Sequence, residues 1–225
     1  MKSNSVSVLL LLVAMLGCNR QKVSEETQIQ DSKKSEKKLV FTQETTDRIK
    51  KAVNTDSVQL TAFTRSFYKW YEQKGRKPDF IPVRKSTKDS AYMGIDWKAH
   101  NIRVTELKNT GFFSNAFLDN YQRIAERIDQ KLKSGEEVWL VGEMSPFGPD
   151  ANAWCNCQDT KEKYWETLTI QDFQRGSGKA TFQWTWGDAF TYAIKTEHVQ
   201  NKWFISEMEG FQFENYFGID QARPE

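Results

Sequence analysis

The chain has 225 residues, with 32 Lys and Arg against 30 Asp and Glu, so its formal net charge is only +2. This balance excludes a polybasic nucleic-acid arm or an acidic solvating protein as a description of the whole chain. Hydrophobic residues make up 38% and aromatic residues 13%, which is enough to bury a sizeable core. The first aromatic residue is Phe41, so the sequence predicts an aromatic-free leader followed by an aromatic-rich folded region.

Residues 1–17 have the pattern of a lipoprotein signal peptide. Lys2 supplies a positive charge, and the apolar run from Val6 to Leu16 is too short to span a bilayer, which needs about 20 apolar residues. The run ends in Leu16-Gly17-Cys18, which resembles the bacterial lipobox, although Met15 stands where Leu is usual. An ordinary cleaved signal peptide with an incidental Cys is the alternative.

The lipobox resemblance implies a mature chain that begins at an acylated Cys18. Two or three acyl chains anchor a protein stably, whereas one chain binds only marginally. Asn19 is not the Asp that retains lipoproteins at the inner membrane of enteric bacteria, so the resemblance implies the outer membrane, facing the periplasm. We therefore expect a lipid-anchored protein of the bacterial cell envelope whose membrane contact is made through Cys18.

Residues 18–54 are predicted to form a flexible tether. From Asn19 to Val40 the chain is polar, mixed in charge and free of aromatic residues, so it cannot bury enough surface to repay its ordering entropy. A flexible chain of about 22 residues spans about 25 Å. Contact of its lysines with anionic lipid is the weaker alternative, because acidic residues alternate with them.

Residues 55–225 are predicted to form a single α+β domain in which amphipathic helices pack on a curved antiparallel sheet. The first helix begins at Thr55 or Asp56 and ends at Gly75, and the second runs from Ser114 to Ser134. Their apolar stripes are Leu60, Phe63, Phe67, Trp70 and Tyr71 in the first, and Phe117, Leu118, Tyr121, Ile124, Ala125, Ile128 and Leu132 in the second. The segment from Tyr92 to Leu107 is interpreted as a short hairpin.

The C-terminal third alternates between polar and apolar residues with period two. Strands are predicted near 167–173, 181–186, 190–194 and 203–206, joined by short turns that contain Gly or Asn. Such a meander has one strongly aromatic face, and the two helices are the available cover for it.

Three short motifs carry a resemblance to a known family. They are the Phe67–Tyr71 run, the Gly148-Pro149-Asp150 turn followed by Gln158-Asp159, and the hairpin that ends at Lys202–Ile205. Together they resemble a family of unknown function found in bacterial lipoproteins, which is similar in fold to nuclear transport factor 2 and the cystatin-like cone. The resemblance implies a cone-shaped fold with a concave pocket that more often binds than catalyses.

Two histidines are the candidates for acid–base chemistry. His198 or His100 beside Asp159 or Asp188 would give a cone-fold hydrolase or isomerase its catalytic pair. The alternative, which we favour, is a surface histidine at a strand end in each case.

Cys155-Asn156-Cys157 is the most unusual short motif. The two cysteines are interpreted as buried inert thiols, as a local or intermolecular disulfide, or as a metal or redox site. Zinc ligand pairs are typically separated by at least two residues, which disfavours the metal interpretation.

A small apolar ligand is the other binding hypothesis. Trp184, Trp186 and Tyr192 would line an aromatic pocket under Trp70, with Asp159 as a polar group, although strand spacing favours a core role for these rings. Asp159 is first of all a turn former. The aromatic residues from Phe211 to Phe217 either dock the C-terminal tail onto the sheet or form an exposed patch that marks a partner site.

The sequence therefore favours a lipid-anchored envelope protein with a non-catalytic domain that binds a partner protein or small apolar ligand. The alternatives are the cone-fold enzyme and an immunity or inhibitor protein of the envelope. No cofactor or metal is expected, because the common nucleotide, metalloprotease and hydrolase motifs are absent from the sequence. The near-neutral charge argues against a nucleic-acid partner.

Overall fold

The computed structural model describes residues 43–187 and 190–218. The predicted signal peptide, Cys18, tether residues 18–42 and Asp188 lie outside the described residues. Within the described ranges, no helix combines the length and apolar character that crossing a membrane requires.

Helix α1 spans Gln43–Trp70 and continues as a π-helical turn, Tyr71–Gly75. The predicted start at Thr55 or Asp56 is wrong, because no Gly or Pro interrupts the segment from residue 43 onwards. Asp56 forms an ion pair with Arg175 on the sheet. The predicted end at Gly75 is confirmed.

Helix α2 spans Trp97–Thr110, so the hairpin interpretation of Tyr92–Leu107 is wrong. The side chain of Asp96 caps the helix by accepting a hydrogen bond of 2.9 Å from the backbone N–H of Ala99. Its buried residues, His100, Arg103 and Leu107, recur at helical spacing, but two of the three are polar. A search for apolar periodicity therefore does not recognise this helix. Two short paired strands precede α2 in the chain, β1 (Pro82–Val83) and β2 (Gly94–Ile95).

Helix α3 spans Asn115–Ser134 and confirms the second predicted helix. The hydroxyl of Ser114 accepts a hydrogen bond from the N–H of Phe117 at the N-terminus, and Gly135 ends the helix in the left-handed conformation. A short helix α4, Tyr164–Thr167, precedes the main sheet.

The main sheet confirms the α+β class and the antiparallel meander. Its strands lie in the order β3, β4, β5 and β6 and form an open sheet. Their bounds are Thr169–Gly176, Lys179–Thr185, Tyr192–Val199 and Lys202–Met208. Gln200 and Asn201 both have positive φ, as a two-residue hairpin turn between right-twisted strands requires. The conical shape implied by the resemblance stays a prediction.

One face of the sheet is buried against the helices. Its buried residues include Phe182, Trp184, Tyr192, Ile194, Trp203 and Ile205. Thr181 and Lys195 on the opposite face are exposed. α1 packs against β3 and α4, and α3 packs against β6.

Strand β3 lies at an edge of the sheet and contains a bulge. Its register against β4 shifts between Gln171 and Gln174, and Asp172, which is exposed, has a φ of 51°. Such a bulge bends the strand and interrupts its ladder of hydrogen bonds.

The C-terminal tail docks onto both α3 and the sheet strand β5. After a 3₁₀ turn, Glu209–Phe211, helix α5 spans Phe213–Phe217. Phe211 is buried against Phe117, Tyr121 and Trp154. The tail thereby completes the wall of a cleft next to α3.

Candidate functional site

The residue Asp79 is the centre of a buried polar network just after the π-helical turn. Its Oδ1 accepts hydrogen bonds from the hydroxyl of Tyr121 at 2.6 Å and from Nε of Arg103 at 3.4 Å. Its Oδ2 accepts a hydrogen bond of 2.6 Å from the indole N–H of Trp154. Only 16% of the Asp79 side chain is exposed, so three donors from three separate segments hold one carboxylate in place.

Burial dominates the electrostatics of this network. Desolvation raises the pKa of Asp79 above its ordinary value, even though Arg103 and the neutral donors act in the opposite direction. Burial, together with the nearby Asp79, also raises the pKa of Tyr216. The guanidinium of Arg103 has other acceptors besides Asp79. Its Nη1 donates to Glu106 at 3.2 Å, and its Nη2 donates to the carbonyl of Gly75 at 2.8 Å.

A cleft of about 180 Å³ opens beside the carboxylate, and we call it the Asp79 cleft. Its lining residues are Asp79, Phe80, Ile128, Trp139, Ser145, Phe147, Gly148, Pro149, Ala151, Ala153 and Tyr216. The rings of Phe80 and Tyr216 meet edge to face at 5.7 Å, and those of Trp139 and Phe147 do so at 6.5 Å. Gly148 has positive φ, and a Cβ there would lie 2.9 Å from the Tyr216 ring, so this wall requires glycine.

The loop that supplies Trp139 to the cleft also carries exposed apolar side chains. Val138, Leu140, Val141 and Met144, which we call the apolar rim, flank Trp139 on the loop after α3. Met144 is 79% exposed and Val138 is 61% exposed. Large apolar side chains that are grouped on a surface in this way mark interaction sites more often than isolated ones do.

Backbone hydrogen bonds hold the apolar rim in place. The N–H of Tyr92 donates to the carbonyl of Trp139, and the N–H of Val141 donates to that of Ser90, each at 2.9 Å. The indole N–H of Trp139 donates to the carbonyl of Glu143 at 3.1 Å. The rim is therefore anchored through its backbone while its side chains face solvent.

The structure brings Trp184 next to Trp186 and Tyr192, with ring centroids 5.4 and 6.1 Å apart, but these rings pack as core and do not line a pocket. Trp184 and Tyr192 are 0% exposed and belong to the core, and Trp186 stacks on Phe190 at 4.1 Å. The hydroxyl of Tyr192 donates to the carbonyl of Ala153 and accepts from the N–H of Gly210, which is a structural role.

The remaining predicted ligand-binding residues lie elsewhere. Trp70 packs against Phe67 and Phe112, and it lines an open groove of about 540 Å³ with Ile102 of α2. Asp159 is exposed in the loop before α4.

The two histidines differ in environment. His100 is 3% exposed on α2, so the predicted surface position at a strand end is wrong for it. Its Nε2 lies 2.8 Å from Oε1 of Gln122, its ring stacks on Tyr121, and burial lowers its pKa. His198 lies on β5, half-buried against the Trp203 ring at 4.6 Å.

Cys155 and Cys157 form a disulfide with each other, and both are buried. They flank Asn156 in a turn immediately after Trp154, the residue whose indole contacts Asp79. In the part of the chain that the structure describes, no group of three or more His, Cys, Asp or Glu side chains could hold a metal ion.

Sequence reasoning missed both Asp79 and Trp139. Asp79 follows Pro78 in a short polar segment that carries no recognised motif. Trp139 lies in the apolar run Val138–Val141, between Glu137 and Gly142. Such a short apolar run is a visible signal, but the pattern alone is typical of a buried strand and does not indicate an exposed loop.

Comparison of the chain with protein-family models, with curated proteins and with solved structures finds no match in any of the three. The fold and the site define the class: an α+β protein with a one-sided antiparallel sheet and a cleft that joins aromatic walls to a buried carboxylate. The likeness to nuclear transport factor 2 stays a prediction from short motifs.

Proposed function

We propose that this chain is a lipid-anchored protein of the bacterial cell envelope whose folded region binds a partner protein at the Asp79 cleft. The anchor is the acylated Cys18, and the membrane is the outer membrane, facing the periplasm. The proposal for the anchor is supported by the short apolar leader that ends on Gly17-Cys18.

The observation that carries the binding proposal is the apolar rim beside the cleft. The rim exposes four large apolar side chains on a loop that hydrogen bonds hold in place. A surface that is already ordered loses little conformational entropy when it binds. This combination favours the docking of another protein.

The size of the cleft favours a partner's side chain over a free apolar ligand. Pockets for drug-sized molecules enclose about 300 to 1,000 Å³. The Asp79 cleft has about 180 Å³, which suits one side chain inserted from a partner that also covers the apolar rim.

The enzyme hypothesis has less support. Asp79 is the carboxylate with a perturbed pKa at the cleft, but it already accepts three hydrogen bonds. His100 lies behind the cleft wall, stacked on Phe80 and Tyr121. Neither group is presented to a substrate in the way that general acid–base catalysis needs.

The partner proposal is tested by photocrosslinking in the cells that produce the protein. A photoreactive phenylalanine analogue replaces Met144 in the full-length chain, and a matched variant carries it at Val199, an exposed apolar residue at the end of β5. We expect one discrete crosslinked species from position 144, which a Trp139→Leu substitution removes, and none from position 199. The same species from both positions, or none from position 144, would contradict the proposal.

The identity of that species separates two forms of the proposal. A secreted toxin or hydrolase would make the chain an immunity or inhibitor protein, whereas a resident envelope protein would make it an assembly or regulatory component. The anchor has its own test: a Cys18→Ala variant should lose acyl label and membrane partition, and unchanged partition would refute it.

A further inference from the structure

We propose that the Asp79 cleft binds an alkylammonium group, which is either the end of a partner's lysine side chain or a small free amine. This inference rests on the proposed binding function, because it names the chemical group that occupies the same site. Four aromatic walls and one carboxylate, in a space of suitable size, carry it.

The walls favour a cation over an anion or a neutral group. Phe80, Trp139, Phe147 and Tyr216 present aromatic rings to the cleft, and aromatic faces attract cations. Among the described residues that line the cleft, Asp79 is the only charged one. An anion would be repelled by this carboxylate, and a neutral apolar group would desolvate it without compensation.

The hydrogen bonds already made by Asp79 favour an ammonium over a guanidinium. A carboxylate offers about four acceptor positions, and Tyr121, Trp154 and Arg103 use three of them. One position is left for an incoming donor. A guanidinium binds best through two parallel hydrogen bonds, whereas an ammonium is a compact charge that needs only one acceptor.

Arg103 does not take the place of the proposed ligand. Arg103 does not line the cleft, although it contacts Asp79. It forms ion pairs with both Asp79 and Glu106. The raised pKa of Asp79 agrees with this, because the positive charge already present does not outweigh the desolvation of the carboxylate. A second cation, bound to Asp79 from the cleft, would offset the remaining desolvation cost of the carboxylate.

The volume of the cleft matches the size of a short alkylammonium group. A space of about 180 Å³ equals roughly six water molecules at about 30 Å³ each. An n-butylammonium group has five heavy atoms and fills such a space without forcing the walls apart. The same group forms the outer part of a lysine side chain, so both sources share one chemistry.

The test is calorimetric titration of the full-length protein in detergent micelles with charged and uncharged probes of equal length. The pairs are n-butylammonium chloride with n-butanol, and Nα-acetyl-lysine amide with Nα-acetyl-norleucine amide. We expect each ammonium probe to bind at least about tenfold more tightly than its uncharged match, within the range of a desolvated cation–π contact. Tighter binding of the lysine probe than of n-butylammonium assigns a partner's lysine, and the reverse assigns a free amine.

Two variants locate the binding in the cleft. Trp139→Leu keeps an apolar wall but removes the aromatic face, and it should weaken n-butylammonium binding roughly fivefold or more. Trp97→Leu, a half-buried tryptophan on α2 that does not line the cleft, should leave binding unchanged. Asp79→Asn should abolish binding, and if that variant does not fold, the Trp139→Leu result decides, because Trp139 lies on a surface loop.

Equal binding of n-butanol and n-butylammonium, no binding of either, or equal effects of the two tryptophan variants would overturn the inference. Crosslinking at position 144 would then still support the partner proposal. Amine binding without any crosslink at the apolar rim would support the ammonium site and contradict the partner proposal.

Discussion

Two aromatic regions of the molecule differ in what their rings enclose. The sheet-face cluster consists of Tyr68, Tyr164, Trp184, Trp186 and Phe190, with ring centroids as close as 4.1 Å for Trp186 and Phe190 and 4.4 Å for Tyr68 and Trp184. The walls of the Asp79 cleft are further apart and leave about 180 Å³ beside a carboxylate. Aromatic content alone therefore does not identify a binding site.

The difference follows from how the sequence supplies the rings. Strand alternation and helical spacing send the rings of the sheet-face cluster to shared buried faces, where close packing is favourable. The rings of the cleft come from three segments with no common period: the loop after the π-helical turn, the loop between α3 and α4, and the C-terminal tail. Such rings meet edge to face and leave a gap between them. Periodicity in the sequence therefore predicts which rings are buried, but it does not predict where a binding cleft forms.

The largest effect should come from the sheet-face cluster. Trp184→Ala should lower the free energy of unfolding by about 3–5 kcal/mol, because it leaves a cavity in the fully buried core. Urea denaturation followed by circular dichroism measures this loss. Trp139→Ala, the matched change at the cleft, should cost about 1 kcal/mol, and equal losses from the two variants would remove the distinction between the regions.

Asp79→Asn should have the next largest effect, about 1–3 kcal/mol, because an amide cannot satisfy all three donors around it. The pKa of Asp79 is raised in the folded state, so the folded protein holds this proton more tightly than the unfolded chain. The Asp79 contribution to stability is therefore present at pH below 3.8 and is lost as the pH rises through the raised pKa.

Because asparagine does not titrate, the stability difference between the wild type and Asp79→Asn should shrink as the pH rises from about 4 to 7. Urea denaturation across this range measures it. The control is Asp119→Asn, which makes the same change of side chain at an exposed position on α3. A difference that grows with pH would show that the carboxylate is stabilised in its charged form.

Reduction of the Cys155–Cys157 disulfide should cost about 1.5 kcal/mol, less than a typical disulfide contributes, because the closed loop is so short. The disulfide turn directly follows Trp154, so the loss of stability also measures how much the Asp79 network depends on the disulfide. Unfolding midpoints with and without a phosphine reductant measure the effect. A Cys155→Ala/Cys157→Ala variant should not respond to reductant, and a loss above about 4 kcal/mol would show that the bond has a larger structural role.

His100→Gln should have the smallest effect, about 1 kcal/mol at pH 7.5, from the lost stacking on Tyr121. Burial lowers the pKa of His100, so the unfolded chain binds this proton more tightly and the wild type loses stability as the pH falls below 6.5. The variant lacks this loss, so the two unfolding free energies should converge between pH 7.5 and 5.5. Parallel curves would show that the folded and unfolded chains bind this proton equally tightly, so that burial does not lower the pKa of His100.

The sequence predicted those parts of the fold whose signals are local. Ser114 and Gly135 delimit α3, and the alternation of polar and apolar residues locates the strands. The sequence did not predict helix α2, because its buried face carries His100 and Arg103. The burial of these two polar residues depends on partners that are distant in the chain.

The candidate site was less predictable than the fold. Asp79 acquires its environment from Tyr121 and Trp154, which lie 42 and 75 residues away along the chain. Trp139 gains its role from pairing between its loop and the segment at Tyr92. Such non-local contacts have no signature in a single sequence, whereas the leader is readable from sequence but lies outside the described residues.

The bulge at Asp172 bears on how copies of this protein coexist. For a protein anchored as proposed, neighbouring copies diffuse in one plane with a common orientation and collide repeatedly. A straight, unbroken edge strand would offer these neighbours a template for intermolecular sheet growth. The register shift in β3 and the exposed charge of Asp172 interrupt that template, so this edge is protected against sheet growth between copies.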